Sequence, residues 1–246
     1  MGDEVEPHPI AVPDAVLDDL AERLARTRLP DTLPGTDWDG GTPTAWLADL
    51  VEHWRSDYDW RAAEELLNGL GPVRTEIDGT GIHALHVPSP HAGALPVLLL
   101  HGWPGSVVEF LDVIPRLVDP TRFGGDAADA LSVVVPSLPG HGFSGPTREP
   151  GWDVDRAAGA FAVLMERLGH DRYGVQGGDW GAQIGTRLAL RVPDRVAGLH
   201  LNMPLAAVPG EVGDLTDDER ADLAAMTRFQ REHAAYAAVH MQAPQT

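Results

Sequence analysis

Apolar residues change their period along this chain, and the change divides it. Val12, Val16, Leu20 and Leu24 recur at helical spacing, with Asp18 and Asp19 in the early turns and Arg23, Arg26 and Arg28 toward the end, and Pro30 closes the element. A second helix starts at Thr42-Pro43 and carries Leu47, Leu50, Val51 and Trp54 on one face, after a Pro/Gly/Asp-rich loop from Asp31 to Gly41. This helical block ends near Gly71, and its Trp38, Trp46, Trp54 and Trp60 are expected to be core anchors. From Val73 the period becomes two. Val73–Asp78 and Ile82–Val87 flank Gly79-Thr80-Gly81 and predict a hairpin.

Beyond the hairpin, strands and helices alternate. Strands are predicted at Pro96–Leu100, Leu131–Pro136, Arg172–Gln176 and Val196–Leu201, and helices at Val107–Val118, Asp153–Leu168 and Gln183–Arg191. That order predicts an α/β protein whose mainly parallel sheet is covered on both faces. From Pro209 the chain turns acidic, with a helix expected over Leu215–Met241. There is no internal repeat.

The candidate chemistry lies in Gly177-Gly178-Asp179-Trp180-Gly181, between a predicted strand and a predicted helix. Small residues around one reactive side chain make a nucleophile elbow, a strained turn that lifts the side chain clear of the sheet. Its nucleophile here is Asp. A carboxylate that attacks an sp3 carbon forms an ester, which water can cleave at the carbonyl, whereas a serine would leave an inert ether. The elbow therefore points to displacement on epoxides or carbon–halogen bonds, and the helix N-terminus after Asp179 favours the ionised form. Upstream, the strand ending at Leu100 runs into His101-Gly102-Trp103-Pro104-Gly105-Ser106. The N–H groups of Trp103 and Trp180 are the expected oxyanion hole, and His101 is expected to hold the loop's shape.

Composition narrows the setting without changing this picture. The 246 residues suit one sizeable core with additions, and 18 basic against 37 acidic residues give a net charge of −19, which disfavours nucleic acid or an anionic membrane as partner. The chain has no cysteine, so disulfides and thiolate chemistry are excluded. The chain shows no signal-peptide pattern and no apolar run long enough to span a bilayer, so a cytoplasmic location is expected.

Several segments together resemble the microsomal-type epoxide hydrolases, in a soluble bacterial form. They are Arg26-Thr27-Arg28-Leu29-Pro30-Asp31, Tyr58-Asp59-Trp60-Arg61, the segment from His101 to Ser106, Ser137-Leu138-Pro139-Gly140-His141-Gly142-Phe143-Ser144, Gln176 to Gly181, and His200-Leu201-Asn202-Met203-Pro204. The N-terminal block argues against haloalkane dehalogenases, the alternative with an Asp elbow. The resemblance implies an α/β-hydrolase fold divided into an N-terminal epoxide hydrolase domain (1–75), the first part of the core (76–205) and the start of a helical lid (206–246). It implies Asp179 as nucleophile, Trp103 and Trp180 as oxyanion hole, and Tyr236 as a lid phenol that protonates the opening epoxide. Small epoxides and water are the implied partners, with no metal and no organic cofactor.

The family pattern also includes a second tyrosine, two further strands, a relay acid and a water-activating histidine, for which this sequence has no counterpart. His141, His233 and His240 lack an evident orienting carboxylate. The expectation is a truncated chain with an unpaired sheet edge, a homodimer or a complementing C-terminal polypeptide being the protein partners to test. A non-catalytic remnant is the alternative outside enzymes.

Overall fold

The computed structural model describes residues 4–204, 215–235 and 237, and the chain divides into two compact units, Met1–Pro204 and Leu205–Thr246. The larger unit is built on seven strands: β1 (Glu6–Pro7), β2 (Pro72–Ile77), β3 (Thr80–Val87), β4 (Leu95–Leu100), β5 (Leu131–Pro136), β6 (Tyr173–Gly177) and β7 (Val196–Leu201). They form one sheet in the order β1-β2-β3-β5-β4-β6-β7. The first three join antiparallel to one another and to β5, while β5, β4, β6 and β7 run parallel.

Central strands buried on both faces read as unbroken apolar runs, and alternate side chains enter different cores. Leu98 and Leu100 of β4, Val134 of β5 and Ile82 of β3 pack with Phe161, Leu164 and Met165 of α5 (Val154–Arg167) and Ile184 and Leu188 of α6 (Trp180–Arg191). Leu99, Val133, Val135 and Leu85 face the other way, onto Ile10, Leu67 of α3 (Trp60–Asn68) and Ile114 and Val118 of α4 (Ile114–Val118). The hairpin and the four parallel strands stand where the apolar pattern places them.

Two elements differ from the sequence expectation. The helix over Val107–Val118 is a 3-10 turn at Val107–Phe110 followed by α4. Pro115 lies in the first turn of α4 and offers no N–H to an upstream carbonyl, so one continuous helix cannot form across it. Helix α6 begins at Trp180 rather than Gln183, because Asp179 itself serves as its N-cap residue.

The N-terminal helices α1 (Asp14–Ala25) and α2 (Thr44–Ser56) form as expected, yet neither contains a buried residue. Trp38, Trp46 and Trp54 are about half exposed, which corrects the core role assigned to them. Trp38 and Trp46 pack edge to face on each other at 5.6 Å, and only Trp60 joins the main core. Helical spacing of aromatics shows which face they share but not whether another layer covers it.

The N-terminal segment is tied to α3 by polar contacts. Glu64 accepts from the Val12 N–H at 2.6 Å, the Trp60 indole N–H at 3.2 Å and Arg61 at 2.6 Å. Asn68 exchanges two hydrogen bonds with the backbone of Ile10.

The second unit contains α7 (Asp217–Glu232), opened by a capping box in which Thr216 and Glu219 satisfy each other's backbone N–H groups. Helix α7 ends at Glu232, and residues 236 and 238–241 of the helix expected over Leu215–Met241 lie outside the described residues. Among the described residues, no helix is long and apolar enough to cross a membrane.

Candidate active site

Adjacent parallel strands build the site. Leu100 is in register with Gly177, so the loops leaving β4 and β6 emerge side by side at the same end of the sheet. In an α/β sheet that carboxyl end is where ligands bind. The elbow needs backbone packed on backbone there. A Cβ on Gly177 would overlap the carbonyl of Gly181, and one on Gly181 would overlap the carbonyl of Leu100. Gly178 is less constrained, its nearest neighbour being Asn202 at 3.6 Å.

Asp179 sits at the apex with φ 51° and ψ −124°, a conformation that costs a non-glycine residue of order 1–3 kcal/mol. The strain aims the carboxylate across the gap to the β4 loop. There the Trp103 N–H donates to Oδ1 at 2.9 Å. Gly102 makes the approach feasible, because a Cβ at that position would lie 2.5 Å from Cβ and 2.6 Å from Oδ1 of Asp179. Nothing in the sequence reading anticipated this contact; a glycine in a strand-exit loop facing an elbow was the available signal. The Trp180 N–H, at the first residue of α6, has no intrahelical acceptor.

His101 is fully committed to holding the loops. Its Nδ1 lies 2.9 Å from the Gly102 carbonyl, to which it donates, and its Nε2 accepts from the Leu138 N–H at 3.1 Å. One nitrogen donates and the other accepts, so the ring is neutral, and burial holds its pKa below the ordinary histidine value. The imidazole thus joins the loop after β4 to the loop after β5.

Two open clefts flank this centre. One, of about 380 Å³, exposes Asp179 between Gly102, Trp103, Glu109 and Asn202. The other, of about 410 Å³, is walled by the indoles of Trp103, Trp180 and Trp152 with Leu138 and Ile184. Trp152, Glu109 and Asn202 were not foreseen as site residues, since none belongs to the elbow or the loop segments that carry the chemistry.

Of the expected site residues, the fold brings Asp179, Trp103 and Trp180 together. Tyr236 lies outside the described residues, as does His240. His141 lines the tryptophan-walled cleft, but its Nδ1 meets only the Pro139 carbonyl, at 3.0 Å. Among the described residues, three histidines approach carboxylates. His53–Asp57 lies on α2 and His233–Glu232 at the end of α7. His91, before β4, meets Asp119, before β5, at 3.0 Å, so this pair lies at the opposite end of the sheet from Asp179. A six-residue strand spans about 20 Å, which puts that pair out of reach.

Comparison with known proteins agrees with this construction. Residues 96–246 match the α/β-hydrolase fold model, and residues 5–110 match the model of the epoxide hydrolase N terminus. The chain therefore belongs to the α/β-hydrolase fold family, in the branch that carries the epoxide hydrolase N-terminal segment. It is 48% identical over 244 residues, 98% of its length, to a protein of Stigmatella aurantiaca (strain DW4/3-1) whose name assigns it provisionally to the epoxide hydrolases. It is 37% identical over 207 residues, 82% of its length, to Epoxide hydrolase 1 of Oryctolagus cuniculus. The solved structure of the Aspergillus niger epoxide hydrolase superposes over 98% of the chain with a TM-score of 0.81 at 34% identity. The chain spans 55% of the Stigmatella protein, 46% of the Oryctolagus protein and 63% of the Aspergillus structure.

Proposed function

We propose that the chain opens epoxides by forming an ester on Asp179, the first half of epoxide hydrolysis to a vicinal diol. The observation that carries this reading is the Trp103 N–H on Oδ1 of a carboxylate raised on a strained elbow. With Oδ1 held, Oδ2 is the oxygen available to attack a ring carbon. As the new C–O bond forms, the ring C–O bond breaks and its electron pair stays on the departing oxygen, which takes a proton from a weak acid. The phenol of Tyr236 fits that role chemically, since it stays protonated at neutral pH and can stabilise a developing alkoxide.

The same geometry serves the second half. When water adds to the ester carbonyl, charge gathers on Oδ1, where the N–H groups of Trp103 and Trp180 would stabilise it. Among the described residues, none combines reach to that carbonyl with an orienting carboxylate. A polypeptide that supplies a histidine and its relay acid would complete the cycle. A cytoplasmic setting belongs to the same reading, and rests on the cysteine-free composition.

Exposure to small aryl and alkyl epoxides followed by intact mass and peptide mapping tests the proposal. The expected result is one covalent adduct per chain, mapped to Asp179 and absent from Asp179→Asn. An adduct undiminished in that variant would overturn the assignment. Halide release from haloalkanes without any epoxide adduct would move the chain to the dehalogenase reaction.

A further inference from the structure

His86, near the end of β3, and His170, in the turn between α5 and β6, bring their Nε2 atoms to 3.3 Å. Their rings stand at 74° with centroids 5.4 Å apart. Both side chains are half-buried, and neither belongs to the site around Asp179. The backbone fixes both positions. The His86 N–H donates to the Gly71 carbonyl at 3.1 Å, the His170 N–H to Met165 at 2.9 Å, and Arg195 donates to the His170 carbonyl at 3.2 Å.

The separation of the two nitrogens is informative. The 3.3 Å separation lies within reach of a long hydrogen bond between neutral imidazoles. It is also the spacing of two ligands on one tetrahedral ion, since Zn–N bonds of about 2.0–2.1 Å at the tetrahedral angle place the nitrogens about 3.3–3.4 Å apart. Burial holds both imidazoles below the ordinary histidine pKa, and mutual repulsion adds to this at His86. Histidine binds metals through its neutral imidazole.

We propose that His86 and His170 form a two-imidazole site for a borderline divalent transition-metal ion such as zinc, nickel or copper, which ties β3 to the α5–β6 turn. Among the described residues, no cluster of three or more His, Cys, Asp or Glu side chains could hold a metal, so water fills the remaining positions. Two nitrogen ligands favour these ions over magnesium and calcium, which prefer oxygen, and the −19 net charge of the chain raises the local concentration of any cation.

Equilibrium dialysis of the full chain against zinc chloride, with metal counting, tests the proposal on the wild type, His86→Asn, His170→Asn and a control, His91→Asn. The expected result is one tightest ion per wild-type and control chain, with at least tenfold weaker binding in each of the other variants. Zinc should also raise the wild-type melting temperature while magnesium leaves it unchanged. Copper(II) added at one equivalent gives a readout that needs no variant, because electron paramagnetic resonance counts the coupled nitrogens. Two imidazole nitrogens are expected in the wild type. A single-nitrogen spectrum, or unchanged zinc binding in both His86→Asn and His170→Asn, would overturn the site.

Discussion

The α-carbon of Gly181 rests against the carbonyl of Leu100, closer than any side chain would permit. This contact seats helix α6 on the end of β4 and so sets the position of Asp179 beside the β4 loop. Gly181→Ala is expected to destabilise the chain by about 3 kcal/mol through overpacking and to abolish the epoxide adduct. Gly178→Ala, three residues earlier in the same turn, should stay within about 0.5 kcal/mol of wild type. Urea unfolding of the two variants makes the comparison; equal losses would show that the elbow is held by something other than this packing.

Strain at Asp179 predicts a trade between stability and chemistry. Its φ of 51° is one that glycine adopts freely. Asp179→Gly should therefore raise unfolding stability by about 1 kcal/mol while removing all alkylation. A variant that melts below the wild type would mean that the carboxylate's bond to Trp103 outweighs the strain.

Acid should weaken the fold through His83. The ring is fully buried, its Nδ1 bonds to Ser137 at 3.0 Å, and its Nε2 has no hydrogen-bond partner among the described residues. Burial first, then the charges of His8 and Arg74, push its pKa down from 6.5 to about 4. A depressed histidine pKa means the unfolded chain takes up the proton first. The stability is thus fully present above pH 6.5, falls between 6.5 and about 4, and levels off below. The gap of roughly two and a half units corresponds to about 3 kcal/mol. Urea titrations at pH 7, 5.5 and 4.5 should show this slope, and His83→Gln should flatten it; identical slopes would remove His83 as the cause.

Glu64 anchors the N-terminal segment, and its pKa is held down chiefly by the Val12 N–H. Glu64→Leu should free the backbone around Ile10 and Val12 without unfolding the sheet. Hydrogen exchange would report faster amides there and unchanged ones in β4 and β6. Uniformly faster exchange would show instead that α3 supports the whole unit.

The elbow and its donor loop were more legible than their surroundings. Asp179, Trp103 and Trp180 announce themselves because strained turns permit few residue types, and the segments that carry them are short and local. The parallel strands were equally plain, since only a doubly covered sheet tolerates runs like Leu98-Leu99-Leu100. What the pattern could not give was adjacency. Nothing in the order of elements says that β5 lies between β3 and β4, or that Gly102 must make room for Asp179. Strand β1 is only Glu6–Pro7, too short and polar to show a period. The apolar spacing over Val107–Val118 suits a helix and hides the effect of Pro115. The tryptophans of the first helices mislead for a related reason: amphipathicity records a preferred face, and burial depends on what stands opposite.

The register of Leu100 with Gly177 makes the candidate site a caliper whose two jaws share one hinge. Trp103 follows its strand end by three residues and Asp179 follows its own by two, so neither can drift without breaking a ladder buried on both faces. Sequence change in the outer strands or the N-terminal helices can therefore alter the surroundings of the carboxylate. The gap between the Trp103 N–H and the Asp179 carboxylate stays at its setting while they vary.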